Sequence, residues 1–163
     1  EPMTREETIQ LEGMDETITT TYFESPLGYS LWLDLAFLTP MPKSEDSAVD
    51  EFGRINLDDP RYGMSVSYAD APEYSFSSAC ESAKQAMTER YGSVKERDTE
   101  GLFTGQASSG FYAMGGGMHT VQYVVDGGNG AFYIQVTYPS EAAEGFGSRV
   151  TQMLKSFDIW SVG

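Results

Sequence analysis

A chain of 163 residues with 25 acidic and ten basic side chains carries a formal charge of −15, a field that repels nucleic-acid phosphates and anionic lipid surfaces and excludes both as expected partners. With 40% hydrophobic residues it has the length of one domain and enough apolar mass to bury a core without disulfides or metals. Its longest apolar run, LWLDLAFL, is broken by Asp34 and falls far short of a membrane span.

Residues 1–16, EPMTREETIQLEGMDE, hold six acids and one base with little periodicity. They read as a flexible acidic leader or tether, which leaves 17–163 as a single domain with order starting near Ile18. Because the chain begins at Glu1, a preceding segment is expected to carry any signal peptide or lipid-attachment cysteine.

TITTTYFE is β-branched and aromatic, SPLG supplies a turn, and GYSLWLDL alternates, so these predict a hairpin. In its second strand Tyr29, Leu31, Leu33 and Leu35 share one face, and Ser30, Trp32 and Asp34 the other. Residues 39–60 carry three prolines and eight charges and read as a long surface loop. YGMSVSYAD then alternates Met64, Val66 and Tyr68 with serines.

Helical spacing follows over 77–91, with Ser78 and Glu81 as a capping box, Ala79, Ala83, Ala86 and Met87 on one face and Gly92 at the stop. The lone Cys80 lies on this segment and reads as a small packed residue rather than a reactive thiol. Next come GLFTGQASSGFYAM, which is strand-like, and MHTVQYVVD, with Val121, Tyr123 and Val125 in one row. The turn DGGNG leads into AFYIQVTY, with Phe132, Ile134, Val136 and Tyr138 in one row. A closing helix follows Ser140, with Glu141 and Glu144 at its positive end and Phe146, Val150, Met153, Leu154 and Phe157 along one side. Runs of strands separated by single helices indicate an α+β fold with an antiparallel sheet.

The stretch FYAMGGGMHT sets three glycines beside the sole histidine. A phosphate loop needs a following helix and a Lys-Ser/Thr pair, and an esterase needs a G-x-S-x-G elbow; neither is present, so the glycines read as a bend between strands. His119 continues the row of Val121 and Tyr123 and lacks a second histidine for a metal site, which favours a strand-end role over a catalytic one. A small hydrolase centred on it is the weakest of the functional readings. Glu45, Asp46, Asp50, Glu51, Asp58 and Asp59 offer oxygen ligands suited to calcium, but their spacing matches no calcium loop and reads as solvated charge. Abundant acids without an apolar setting do not make a glycosidase pair.

The informative surface is the second sheet face. Trp32 with Asp34, Tyr133 with Gln135 and Thr137, and Gln122 with Thr120 combine flat aromatics with hydrogen-bonding groups. A face partly open for recognition and a face covered by a helix or loop both fit this pattern.

The segments YFESPLGYSLWLD, YVVDGGNGAFYIQVTYP and EAAEGFGSRVTQMLKSFDI, with the helix between them, resemble the PsbP-like superfamily and similar bacterial extracytoplasmic lipoproteins over about residues 18–160. The resemblance implies an α/β/α sandwich in which an antiparallel sheet is flanked by helices, used as a non-catalytic accessory or binding module. Members with known roles assist larger assemblies through protein contacts, and no catalytic residues carry over. The insert MPKSEDSAVDEFGRINLDD and the acidic leader depart from that pattern.

The expected protein is a non-enzymatic, extracytoplasmic, lipid-tethered module that needs no cofactor. It contacts a protein or envelope component through Trp32, Asp34, Tyr133 and Gln135. The alternative is a small-molecule or calcium-responsive protein using the acidic loop 43–59.

Overall fold

The computed structural model describes residues 3–11, 13–43, 47–53 and 59–160. In chain order these form β1 (Thr4–Leu11), β2 (Met14–Glu24), β3 (Tyr29–Leu33), β4 (Thr39–Pro40), β5 (Val49–Gly53), β6 (Gly63–Asp70) and α1 (Phe76–Tyr91). There follow β7 (Lys95–Arg97), β8 (Ser108–Gly115), β9 (Met118–Asp126), β10 (Gly130–Pro139), α2 (Ser148–Leu154) and β11 (Asp158–Ile159). Two antiparallel sheets result: a small one ordered β1-β2-β3-β11 and a large one ordered β4-β5-β6-β10-β9-β8-β7.

The alternating rows decide how the sheets stack. Met64 and Val66, Val121, Tyr123 and Val125, and Phe132, Ile134, Val136 and Tyr138 are buried on one face of the large sheet. They pack against Tyr29, Leu31 and Leu33 of β3 and against Phe146, Val150, Met153, Leu154 and Phe157 in and around α2. Burying such rows is the main favourable term, and removing one fully enclosed ring such as Phe157 costs about 3–5 kcal/mol. The expected antiparallel α+β sandwich is therefore present, with one outer layer that mixes α2 with the small sheet. Leu35 leaves its row because β3 ends at Leu33, and it is exposed.

The opposite face of the large sheet carries a smaller cluster, in which Ala79 and Met87 of α1 cover Phe111, Ala113, Val124 and Ala131. The helix is capped by Ser75, whose side chain accepts from the Ser78 amide at 3.1 Å; Ser78 is thus served by the cap instead of supplying it. Gly92 ends the helix at φ 84°, its amide donating to the Thr88 carbonyl. Ala86, expected on the packed face, is exposed.

Two expectations are corrected by strand pairing. Residues 1–16 contain β1 and the start of β2, paired in register from Thr4↔Thr21 to Leu11↔Met14, with Ile9 buried. Glu16 chelates Arg149 of α2 at 2.7 and 2.9 Å, which ties this ribbon to the body. Glu6, Glu7, Asp15 and Glu16 each face an uncharged residue across the ribbon and Arg5 pairs with Glu7 at 2.9 Å, so high charge and strand structure coexist. Residues 39–60 contain β4 and β5 as well as loop, because Asp50 and Phe52 face inward and β5 pairs along β6.

The three glycines close the β8–β9 hairpin. Gly116 and Gly117 have φ of 61° and 78°, the two left-handed positions of a tight two-residue turn. The second helix is segmented: Ser140–Ala142 is a 3-10 turn and Ala143–Gly147 a π turn before α2 begins, and Ser140 supplies no side-chain cap. Among the described residues no helix is long and apolar enough to cross a membrane.

Candidate functional site

The residues expected on a single second face fall on two different sheets. Trp32 and Asp34 belong to β3 and the turn after it, and their row faces α2. The Trp32 amide donates to Ser156 Oγ at 2.9 Å, its ring packs 5.3 Å from Tyr22, and the Arg5 guanidinium lies 4.1 Å above it. The space between this row and α2 is about 10 Å³, room for at most one water.

Asp34 is buried and structural. Its carboxylate accepts from the Ala36 amide at 3.1 Å, its carbonyl accepts from Phe37 and Leu38, and Arg149 stands 3.8 Å away. Burial pushes its carboxyl above the ordinary range, opposed by the Ala36 amide and by Arg149. Trp32 and Asp34 thus lie apart from Tyr133 and Gln135, on the small sheet and the turn after β3.

Tyr133 and Gln135 do lie together, on the outer face of β10. Register places Gln135 between Ser65 of β6 and Gln122 of β9, and Tyr133 between Ser67 and Val124. Helix α1 covers the β8–β9 side of this face and the Tyr133 end of β10. Tyr133 packs at the helix margin beside Cys80 and Ala83, where burial pushes its phenol upward. Beyond the helix the face is open.

On that open half, Gln135 Nε2 donates to Gln122 Oε1 at 3.3 Å, and Gln122 in turn donates to the Tyr123 and Ile134 carbonyls. Among the described residues, the hydroxyls of Ser65, Ser67 and Thr137 and the Oε1 of Gln135 make no internal hydrogen bond. Ser65, Gln135 and Thr137 border a groove of about 790 Å³ whose other walls include Met41, Glu51 and Asp59. Asp59 is paired with Arg61 at 2.8 Å, whereas Glu51 is exposed and, among the described residues, forms no ion pair. The groove thus combines an apolar flank, a polar floor and a negative rim, as a site for an extended, basic ligand would. The open half of the face is visible only in strand order, since the sequence does not say how many strands one helix covers.

The other candidates resolve differently. Asp50 is turned inward, where Ser25, Tyr29 and Lys43 donate to it, and burial is outweighed by these donors so that its carboxyl stays below the ordinary range. Glu45, Asp46 and Asp58 lie outside the described residues. Among the described residues, no three His, Cys, Asp or Glu side chains converge as a metal site would require. His119 packs on Tyr138 with ring centres 5.3 Å apart, and among the described residues its ring forms no hydrogen bond to a serine, cysteine or carboxylate. Burial pushes the Cys80 thiol up, which suppresses the reactive thiolate.

No curated protein matches the chain. Among solved structures, the solution structure of cyanobacterial PsbP (CyanoP) from Synechocystis sp. PCC 6803 superposes with a TM-score of 0.58. The match covers 86% of this chain and 92% of that one, at 12% identity. A crystal structure from Bacteroides thetaiotaomicron VPI-5482 gives 0.52 over 86% of this chain at 14% identity. The match covers 48% of that protein, so this chain spans about half its length. At such identities the likeness is one of fold, and the fold is PsbP-like. A family profile described as "Domain of unknown function (DUF8580)" matches residues 1–158, and the chain belongs to that family.

Proposed function

We propose that this protein is a non-enzymatic binding module that holds a basic, extended segment of a partner protein along the helix-free half of its large sheet. The carrying observation is that the hydroxyls of Ser65 and Thr137 and the Oε1 of Gln135 have no internal partner among the described residues and floor a groove. Polar groups left open on a flat strand surface are what a docking chain satisfies. Charge supports the sign of the partner, because Glu51 stands on the rim of a molecule with net charge −15. An extracytoplasmic, lipid-tethered setting is part of the proposal, supported by the resemblance of the sequence to the PsbP-like extracytoplasmic proteins.

The test is a nitrogen-15 NMR titration with a panel of extended peptides of matched length, carrying lysine and leucine, glutamate and leucine, or serine alone. The lysine-leucine peptides are expected to shift the amides of Ser65, Gln135 and Thr137 and to lose that effect in Gln135→Arg. Shifts with the glutamate peptides instead, or none on this face with any peptide, overturn the reading.

A further inference from the structure

On the other side of the large sheet, the β8–β9 hairpin and α2 enclose a second cleft of about 560 Å³. Among the described residues, its lining holds Arg97, Lys155 and His119 and not one carboxylate, in a chain with 25 acids against ten bases. Arg97 is half-buried, and its guanidinium is held by neutral hydroxyls: Nε donates to the Tyr123 phenol at 3.0 Å and one terminal nitrogen to Thr151 Oγ1 at 3.5 Å. Among the described residues neither Arg97 nor Lys155 forms an ion pair. A guanidinium set in place by two hydroxyls keeps N–H donors in the fork that matches a carboxylate or phosphate.

The walls are aromatic. Tyr112 and the packed pair of Tyr138 and His119 flank the space, which has the volume of a small-molecule site. The stretch FYAMGGGMHT thus contributes Tyr112, Met114 and His119 to a recess, with the glycine turn serving to bring them side by side.

We propose that this cleft binds a small anion with a flat apolar body, its carboxylate or phosphate group on Arg97 and Lys155 and its ring against Tyr112, Tyr138 and His119. The local excess of cationic donors inside a strongly negative molecule selects the anion, and the aromatic walls select a ring over a bare ion. This site lies on the face of the sheet opposite the peptide groove and stands or falls independently of it.

The experiment is titration calorimetry of the full chain with phenyl phosphate, benzoate, inorganic phosphate and neutral benzamide, paired with NMR of the Tyr112, His119 and Thr151 amides. Phenyl phosphate or benzoate is expected to bind, to shift those amides, and to weaken as salt rises from about 50 to 300 mM. Lys155→Gln, at an exposed position, is expected to weaken binding about threefold, and Arg97→Gln about tenfold or more, the size of a lost charge-assisted hydrogen bond. Because Arg97 also supports Tyr123, the fold of that variant is checked by its melting temperature, and Lys155→Gln carries the test if it is unstable. Equal binding of benzamide, equal binding of inorganic phosphate, unchanged affinity in Lys155→Gln, or no shift with any anion overturns the proposal.

Discussion

Tyr29 donates its phenolic hydrogen to Asp50 at 2.7 Å, and this bond joins β3 of the small sheet to β5 of the large one. The ring is fully buried and stacks on Phe157 with centres 5.0 Å apart, so hydroxyl and ring are fixed together. Burial, and then the bond to Asp50, push the phenol far above its ordinary range and keep it a donor. Tyr29→Phe keeps the stack and removes one donor to a buried carboxylate, which is expected to cost about 1.5–3 kcal/mol in urea unfolding.

The same carboxylate sets an acid limit. Its folded pKa is lowered, so its stabilising contribution is complete above the unfolded value of about 3.9 and is lost as pH falls below it toward the lowered one. Urea midpoints measured from about pH 6 down to pH 2 are expected to fall most steeply below pH 4 in the wild type. In Tyr29→Phe the fall is shallower, because one of the donors that lowers the pKa is gone.

Asp34 carries the opposite sign. Its pKa is raised by burial, so the folded chain holds the proton more tightly, and stability falls as pH rises from about 3.9 through that raised value. Asp34→Asn keeps an acceptor for the Ala36 amide and removes the charge, and is expected to leave the melting temperature at pH 7 unchanged or higher. A loss of more than about 1 kcal/mol would show instead that the attraction of Arg149 outweighs burial.

Ile9→Ala distinguishes a packed strand from a loose leader. Ile9 is 6% exposed, so its truncation is expected to lower the unfolding free energy by about 2 kcal/mol, the lower end for a buried aliphatic side chain. A leader gives no change.

At the glycine bend, a Cβ on Gly116 or Gly117 meets nothing within 4 Å, so the backbone alone decides the cost. Gly117→Ala, at φ 78°, is expected to lose about 1–2 kcal/mol in thermal unfolding. Gly116→Asn is expected to be nearly neutral, since asparagine accepts the first position of such a turn.

What the sequence made legible was the inner side of the large sheet. The rows of Val121 and Phe132 are written as strict alternation, and Asp126 marks the turn by accepting from the Gly128 amide at 3.0 Å. Strands in which charge occupies the alternating positions were hidden. Glu7 and Glu16 lie on a ribbon whose pairing satisfies the backbone whatever the side chains are, and the burial of Asp50 depends on Lys43 and on Ser25 and Tyr29, the last two distant in sequence. The signal that reveals the first ribbon is modest: isoleucines at 9 and 18 on either side of Gly13, which sits at φ 78°. Of the residues expected to make contacts, Tyr133 and Gln135 fall together on one face because they share a strand. Trp32 falls on the small sheet instead, because alternation assigns a residue to a face but not to a sheet.

Helix α1 is fastened to the sheet through Ala79 and Met87 as its buried residues, whereas the opposite side of the same sheet is locked by stacked rings such as Tyr29, Phe132 and Phe157. The helix side is therefore expected to open before the ring-packed side. Amide exchange along α1 is expected to proceed by detachment of the helix from an intact sheet, while β9 and β10 are expected to exchange only when the whole molecule unfolds.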